Sequence, residues 1–147
     1  MRKRNTNIPA AYLILLENEK ILLLRRLNTG YEDGNYSLIA GHVEKGETFT
    51  DCIIREAEEE AGITLKRKDL QVAHVMHRNH GADYNNQRLD VFFISTKWTG
   101  IIENKEVHKC DDLSWFDFHE IPNNIIPHVK QAIEFAFNGV SYSESGW

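Results

Sequence analysis

Four glutamates and one arginine occupy six consecutive positions near the middle of the chain, in the stretch REAEEE at residues 55–60. Carboxylates this close together on a helix repel one another, so a cation placed among them would stabilise the segment. Hard divalent cations such as Mg²⁺ and Mn²⁺ prefer carboxylate oxygens and keep open positions for water or phosphate oxygens. The cluster therefore predicts a metal site for a phosphorylated ligand, with a solvated acidic helix face as the alternative.

The cluster lies in a segment, residues 49–61, whose pattern predicts an amphipathic helix. Thr48 is a candidate N-cap, with Asp51 three positions later as the second half of a capping box. Gly62 is suited to end the helix, because glycine readily adopts the left-handed conformation found there. The apolar side chains fall within one arc that can pack on a sheet, and they are Ile53, Ile54, Ala57 and Ala61.

Such a helix brings three of the four carboxylates to one side. Glu56 and Glu60 lie one turn apart and Glu59 falls on the same side, whereas Glu58 points away. Arg55 lies one turn before Glu59 and can pair with it. This acidic side borders the apolar stripe, and the loop that leads into the helix carries two more acids, Glu44 and Glu47. Both features favour the metal site over the solvated face.

The elements around this helix indicate the fold class. Stretches rich in β-branched and aromatic residues predict strands near residues 8–17, 20–27, 36–40, 70–78, 88–98 and 112–118. A second helix is predicted near residues 127–138, and the final SYSESGW is expected to be a loose tail. The strands outnumber the helices and come in hairpins, which is typical of an α+β (mixed α/β) domain with helices packed on a sheet. The length of 147 residues predicts a single domain, residues 1–147.

Charge and hydropathy exclude several classes of partner. The formal net charge is −5 and no long basic tract occurs, so we expect no nucleic-acid polymer as a partner. The first apolar runs are expected to form a hairpin rather than a signal peptide, and no run is long enough to span a membrane. Cys52 and Cys110 are expected to be buried reduced thiols. These observations predict a cytoplasmic protein, and we expect it to be a monomer or homodimer.

The spacing of the acidic residues resembles the Nudix box, G-x5-E-x7-R-E-U-x-E-E-x-G-U, at every position of residues 41–63. The stretch LLLRRLNTGYEDGNYSLIAGHVEKGET is similar to the strand, loop and strand that enter the box in MutT-like members. DLSWFDFHEIP followed by a helix is similar to their C-terminal end. One departure is Ile39, where many relatives carry proline. The resemblance implies a Nudix-type α/β/α sandwich with a central mixed sheet.

The resemblance also implies an activity and a metal. Nudix hydrolases cleave a nucleoside diphosphate linked to another group, by attack of water on a phosphorus of the pyrophosphate, with a divalent metal. The expected cofactor is Mg²⁺, with Mn²⁺ as an alternative, and the expected partner is a small-molecule nucleotide. The family pattern implies these metal-binding groups: Glu56, Glu59, Glu60 and the backbone carbonyl of Ala40.

The same pattern implies catalytic roles for four residues. Arg55 is expected to orient a glutamate by ion pairing, and Glu47 to support the loop and helix. The general base stays open, because it varies within the family. Glu56 or Glu59 could serve, or an acid of a later loop, Glu103 or Glu106.

The substrate is less well determined by the pattern. ADP-ribose enzymes of the family tend to carry a proline shortly after the box, and this chain has none between Pro9 and Pro122. The tyrosine that marks diadenosine polyphosphate enzymes is also missing, since Tyr84 lies too far on. What remains is a MutT-like hydrolase of nucleoside triphosphates that releases a nucleoside monophosphate and pyrophosphate, with a housecleaning role. The alternatives are a nucleotide sugar or dinucleotide polyphosphate as substrate, and a Nudix module that binds nucleotide without turnover.

Two further residues are candidates for substrate binding. Arg25 and Arg26 point to opposite faces of a strand, and Arg26 is the candidate to face the cleft and clamp a phosphate. Asn124 aligns with an asparagine that reads the base in MutT-like members, although asparagine beside proline also favours turns.

Overall fold

A computed structural model describes residues 2–79 and 87–147 of the chain. Its strands are β1 (Ile8–Glu17), β2 (Lys20–Arg26), β3 (Tyr36–Ser37), β4 (Ile39–His42), β5 (Gln71–Asn79), β6 (Gln87–Ser95), β7 (Cys110–Asp117) and β8 (Tyr142–Ser145). The α-helices of these two ranges are α1 (Phe49–Ala61) and α2 (Pro127–Phe137), and two short 3₁₀ helices lie at Arg67–Asp69 and Phe118–Glu120. Most elements lie within a few residues of their predicted positions.

Strand β1 is the centre of the sheet and has three neighbours. It pairs in parallel with β6 and antiparallel with β4, and its last two residues pair with β2. Beyond β6 come β5, antiparallel, and β8, parallel to β5. On the other side, β2 continues into antiparallel pairs with β3 and β7. The predicted central mixed sheet is confirmed, and β1 lies between β4 and β6 at the point where β4 runs toward α1.

The two helices cover opposite faces of this sheet. Strand β1 is buried on both faces, as in central strands generally. Its alternate side chains Ala11, Leu13 and Leu15 belong to the core that includes the apolar stripe of α1. The intervening side chains Ala10, Tyr12 and Ile14 belong to a second core that includes α2. The fold is therefore the predicted α/β/α sandwich.

Local capping holds α1 in place beside β4. The Thr48 side chain accepts a hydrogen bond from the Asp51 N–H, and the Asp51 side chain accepts one from the Thr48 N–H. This is the predicted capping box. The helix ends at Gly62, which has a positive φ of 69°, a conformation that favours glycine. The start and end of the helix that carries the acidic cluster are thus set by its own sequence.

Two local predictions were wrong. The predicted strand at residues 36–40 is two short strands separated by Leu38, with β3 on β2 and β4 on β1. The predicted loose tail contains β8, which extends the sheet beside β5. The buried His74 hydrogen-bonds Val140 O and Ser143 Oγ, each at 2.7 Å, and so connects β5 to this segment. The tail is ordered by partners about 65 residues earlier in the chain, which local composition cannot reveal.

Two predictions from composition can be compared with this fold. Cys52 and Cys110 are both buried and free, as predicted. Burial raises the pKa of the Cys52 thiol to about 12, so the thiol stays protonated. Within residues 2–79 and 87–147, no helix combines the length and the apolar character that crossing a bilayer requires.

Candidate active site

A cavity of about 530 Å³ opens where β4 meets α1, and we call it the first cavity. Six of the eight predicted site residues line it: Arg26, Ala40, Arg55, Glu56, Glu59 and Glu60. Glu106, one of the candidate bases from the later loop, also lines it, whereas Glu103 does not. The loop that carries Glu106 and the acidic side of α1 lie far apart in sequence and therefore meet in this cavity through the fold.

Glu56 and Glu60 form a close carboxyl pair inside this cavity. Burial raises the pKa of Glu60 well above its usual range, and the neighbouring Glu56 raises it further. Burial also raises the pKa of Glu56, but hydrogen bonds from Glu60 and Arg55 oppose this effect. The proximity of the two carboxyls therefore favours the protonated form of Glu60. A bound cation would take the place of this proton.

The donor set fits a hard divalent cation. The Oε2 atom of Glu60 is shielded from solvent and has no hydrogen-bond partner in the described part of the chain, although a buried carboxyl oxygen normally has one. The backbone of Ala40 lies against the same carboxyl. In the part of the chain that the structure describes, no group of three or more His, Cys, Asp or Glu side chains is arranged so that it could already hold a metal ion. Glu56 and Glu59 instead both accept hydrogen bonds from Arg55. Of the three carboxylates, Glu60 is the one with a shielded oxygen that no described residue contacts by a hydrogen bond.

Arg55 connects four acidic or carbonyl groups around the cavity. Its Nη2 and Nε atoms donate to the two oxygens of Glu47 at 2.7 and 3.1 Å. Its Nη1 donates to Glu56 at 2.7 Å and to Glu59 at 3.2 Å, and Nη2 also reaches the His42 carbonyl at 3.2 Å. These are the contacts required by the predicted role of Arg55 as the group that orients a glutamate.

Glu47 lies behind Arg55 and does not line the first cavity. Hydrogen bonds from Arg55 and from the Glu44 N–H lower the pKa of Glu47 to about 2. The carboxylate is therefore charged at any physiological pH, and it fixes the guanidinium in a two-bond fork. The role of Glu47 in supporting the loop and helix stays a prediction, and its bonds to Arg55 and to the Glu44 N–H support it.

Gly41 of β4 leaves room for the Glu56 carboxyl. A Cβ atom at this position would overlap the end of the Glu56 side chain. Two neighbours keep that carboxyl from moving freely, because Arg55 holds it on one side and Glu60 lies on the other. The predicted box therefore has glycine at this position because the Glu56 carboxyl packs closely against it. The backbone here does not need a positive φ.

Replacing Gly41 by alanine is expected to displace Glu56 and lower kcat by about 10²-fold, because small misplacements of catalytic groups have effects of this size. Steady-state kinetics with a metal titration would measure the loss. The melting temperature provides the control for folding, since the added methyl group meets a side chain and not backbone. A variant with wild-type kcat and metal affinity would contradict this account of the glycine.

A second cavity of about 320 Å³ adjoins the first. The two cavities share the wall residues Arg26, Ala40, Gly41 and His42. The rest of the second cavity is lined chiefly by arginine, histidine and tyrosine side chains, namely Arg78, Arg88, His128, Tyr12 and Tyr31. Of these residues, Arg78, Arg88, His128 and Tyr12 were not predicted from the sequence. Arg78 and Arg88 could have been noticed because they end and begin the two predicted strands at residues 70–78 and 88–98.

Arg26 lies in the wall between the two cavities, facing the cleft. Its Nε donates to the Tyr31 carbonyl at 2.7 Å and its Nη2 to Thr29 Oγ1 at 3.0 Å, which fixes the guanidinium. Arg25 points the other way and pairs with Asp111 at 2.7 Å. Asn124 lines neither cavity, and its side-chain amide donates to the Gly34 carbonyl at 2.9 Å. Its reading of the base stays a prediction.

Comparison with known proteins identifies relatives of this chain. The NUDIX domain family model matches residues 6–137. The chain is 31% identical over 120 residues to the NAD-capped RNA hydrolase NudC of Chromobacterium violaceum, covering 82% of this chain and 42% of that protein. It is 29% identical over 117 residues to the ADP-ribose pyrophosphatase of Methanocaldococcus jannaschii, covering 80% of this chain and 66% of that protein. The chain thus spans well under half of the first relative and about two thirds of the second.

A solved structure supports the same fold. The MutT NUDIX hydrolase from Burkholderia pseudomallei superimposes with a TM-score of 0.79 at 22% identity, covering 88% of this chain and 97% of that one. The NUDIX hydrolase from Nitrosomonas europaea superimposes with a TM-score of 0.77, also at 22% identity, covering 93% of each chain. At this level of identity the likeness concerns the fold.

Proposed function

The chain belongs to the NUDIX domain family, and we propose that it is a hydrolase that breaks the pyrophosphate bond of a nucleoside diphosphate derivative. One observation carries the proposal. The half-buried Glu60 has one oxygen that is shielded from solvent and has no partner among the described residues, and it lies beside Glu56 in an open cavity that also contains Arg55. A structural acidic helix face would have no reason to bury an unsatisfied carboxyl.

The acidic cavity needs a cation before it can accept a pyrophosphate. Glu56, Glu59, Glu60 and the Ala40 carbonyl would hold it, with Mg²⁺ expected first and Mn²⁺ as the alternative. When bound, such a cation neutralises charge on phosphoryl oxygens and lowers the pKa of bound water. The remaining work of phosphoryl transfer is positioning and electrostatic stabilisation.

The other residues of the cavity would position the substrate and the water. Arg55 keeps Glu56 and Glu59 directed into the cavity through hydrogen bonds of 2.7 and 3.2 Å. Arg26 is available to bind a phosphate at the wall that both cavities share. The general base is Glu56, Glu59 or an acid of the later loop. The lining of the first cavity supports Glu106 over Glu103, whose carboxylate pairs with Lys105 at 3.1 Å.

The first candidate substrate is a nucleoside triphosphate, cleaved to a monophosphate and pyrophosphate in a MutT-like, housecleaning reaction. The second is a dinucleotide or an ADP-ribose derivative. The adjoining second cavity supports it, since that cavity could receive the second half of such a molecule. The relatives act on related compounds, because one is an NAD-capped RNA hydrolase and the other an ADP-ribose pyrophosphatase. We expect residues 1–147 to act as one domain, in the cytoplasm, as a monomer or homodimer.

A substrate panel with Mg²⁺ or Mn²⁺ tests the proposal. The panel contains canonical and oxidised nucleoside triphosphates, ADP-ribose, NADH, nucleotide sugars and dinucleotide polyphosphates, with pyrophosphate and orthophosphate measured separately. Metal-dependent cleavage of any of them supports hydrolysis, and the product identifies the substrate class. Nucleotide binding without cleavage under all conditions would overturn it and favour a NUDIX module that only binds nucleotide.

A further inference from the structure

The second cavity has an unusual concentration of positive charge. Arg78 and Arg88 lie directly opposite each other in the antiparallel β5–β6 pair, and both line the cavity. Residues directly opposite on neighbouring strands project from the same face, where like charges destabilise the sheet. Arg26 adds a third guanidinium at the wall that leads to the first cavity. Repulsion between the two guanidinium groups destabilises the sheet unless an anion lies close enough to offset it.

One carboxylate offsets only part of this charge. Asp90 is fully buried and accepts a hydrogen bond from Arg78 Nε at 2.9 Å. The salt bridges within residues 2–79 and 87–147 include neither Arg26 nor Arg88. Arg26 donates to neutral oxygens of Thr29 and Tyr31. Counting the three arginines against Asp90, the described wall has two positive charges in excess.

Of the three arginines, Arg88 is the one with a shielded N–H donor that no described residue accepts. Its Nη1 atom is shielded from solvent and has no hydrogen-bond partner among residues 2–79 and 87–147. Arg78, by contrast, is fixed by its ion pair with Asp90 and lies almost completely buried.

We propose that the second cavity binds a phosphate group that the substrate carries outside its scissile pyrophosphate, with Arg88 as its principal ligand and Arg78 as a pre-positioned second cation. This inference rests on the proposed function, because it places the pyrophosphate in the first cavity. A guanidinium offers a planar fork of N–H donors that matches phosphate oxygens. Tyr12 and Tyr31 could stack on a neutral ring, but a neutral group would leave the arginine pair uncompensated.

Two kinds of substrate carry such a phosphate, and matched pairs separate them. NADPH differs from NADH by one ribose phosphate, and ATP differs from ADP by the terminal phosphate of the chain. We would measure kcat/KM for all four compounds with the wild type, with Arg88→Gln and with Arg88→Lys. Arg67→Gln is the matched control, since Arg67 is exposed and lines neither cavity.

The expected result is a preference for the phosphorylated member of at least one pair, reduced about 10- to 100-fold in Arg88→Gln. Arg88→Lys should retain part of it, whereas Arg67→Gln should retain all of it. The kcat/KM for the member without the extra phosphate should change little. A preference only between NADPH and NADH assigns the ribose phosphate, and one only between ATP and ADP assigns the terminal phosphate.

The melting temperature without ligand is a second measurement, and it does not depend on turnover. Removing one of two opposed arginines relieves repulsion, so Arg88→Gln without ligand should melt at or above the wild-type temperature. The proposal is overturned if neither pair shows a preference, or if Arg88→Gln slows both members of a pair equally. Absence of hydrolysis for every compound of the full substrate panel would instead refute the proposed function. The failure of this inference and the failure of the proposed function are therefore distinguishable.

Discussion

Replacing Glu60 by glutamine is expected to lower kcat roughly 10²- to 10³-fold, while the metal-free protein stays at least as stable as the wild type. The Glu60 carboxyl is buried beside Glu56, and this environment raises its pKa well above the usual range. Burial and the neighbouring Glu56 therefore favour the protonated form of Glu60 in the metal-free wild type, and glutamine copies that form in size and hydrogen bonding. The amide cannot serve as an anionic metal ligand, so metal binding is lost while the fold is kept.

The pH dependence of stability gives an independent test of this burial. A carboxyl whose pKa is raised by folding binds a proton more tightly in the folded state. Without metal, the wild type should therefore lose stability as the pH rises above the ordinary pKa of glutamate and through the raised pKa of Glu60. The Glu60→Gln variant lacks this loss, so its advantage should grow with pH.

The measurements are metal titration, kcat and urea unfolding across pH, each in the presence of EDTA or Mg²⁺. Glu58→Gln is the matched control, because Glu58 lies on the same helix, is exposed and lines neither cavity. Added Mg²⁺ should stabilise the wild type and the control, but not Glu60→Gln. Wild-type turnover of Glu60→Gln at limiting Mg²⁺ would refute the assignment of Glu60 as a metal ligand.

Replacing Arg55 by glutamine is expected to damage both activity and stability. The guanidinium hydrogen-bonds Glu47, Glu56 and Glu59, so its removal leaves three carboxylates close together without a shared cation. The side chains of Arg55 and Glu47 are 24% and 15% exposed, so solvent screens the pair only in part. We expect a loss of about 1–3 kcal/mol in the free energy of unfolding. A loss of about 10²-fold in kcat should accompany it, because Glu56 and Glu59 lose their orienting group.

Urea unfolding and steady-state kinetics would measure the two effects, with Arg67→Gln as a control that removes the same charge from an exposed position. The double variant Arg55→Gln, Glu47→Gln should be less destabilised than the sum of the single variants, because each partner acts through the other. If the two changes in unfolding free energy are additive, the paired hydrogen bonds between Arg55 and Glu47 contribute little to stability.

Acid should remove the contribution of this ion pair. The pKa of Glu47 is lowered to about 2, chiefly by the Arg55 hydrogen bonds, so the folded state binds its proton less tightly than the unfolded chain. The stabilisation is complete above the ordinary glutamate pKa and is lost as the pH falls from there toward 2. The difference in unfolding free energy between the wild type and Arg55→Gln should therefore shrink over that range. An unchanged difference at acid pH would contradict the role of Glu47.

Local sequence determined the helix that carries the candidate site and its acidic chemistry. Thr48, Asp51 and Gly62 set the ends of α1 through hydrogen bonds and a backbone conformation that involve only near neighbours. The spacing of Glu56 and Glu60 follows from the pitch of the same helix. The continuous apolar run of β1 is likewise typical of a strand that is buried on both faces. Such features depend on a few consecutive residues, so they can be read without knowledge of the rest of the chain.

Only the tertiary structure decided which distant groups meet. The orphan oxygen of Glu60 results from burial against β4 and the later loop, and the second cavity joins arginines from β2, β5 and β6. The placement of β8 depends on His74, and the contact between Gly41 and Glu56 depends on how β4 packs on α1. These contacts arise from chain segments brought together by the sheet register and core packing. Spacing along the sequence predicts which residues can do chemistry, whereas burial, charge balance and cavity walls depend on the whole fold.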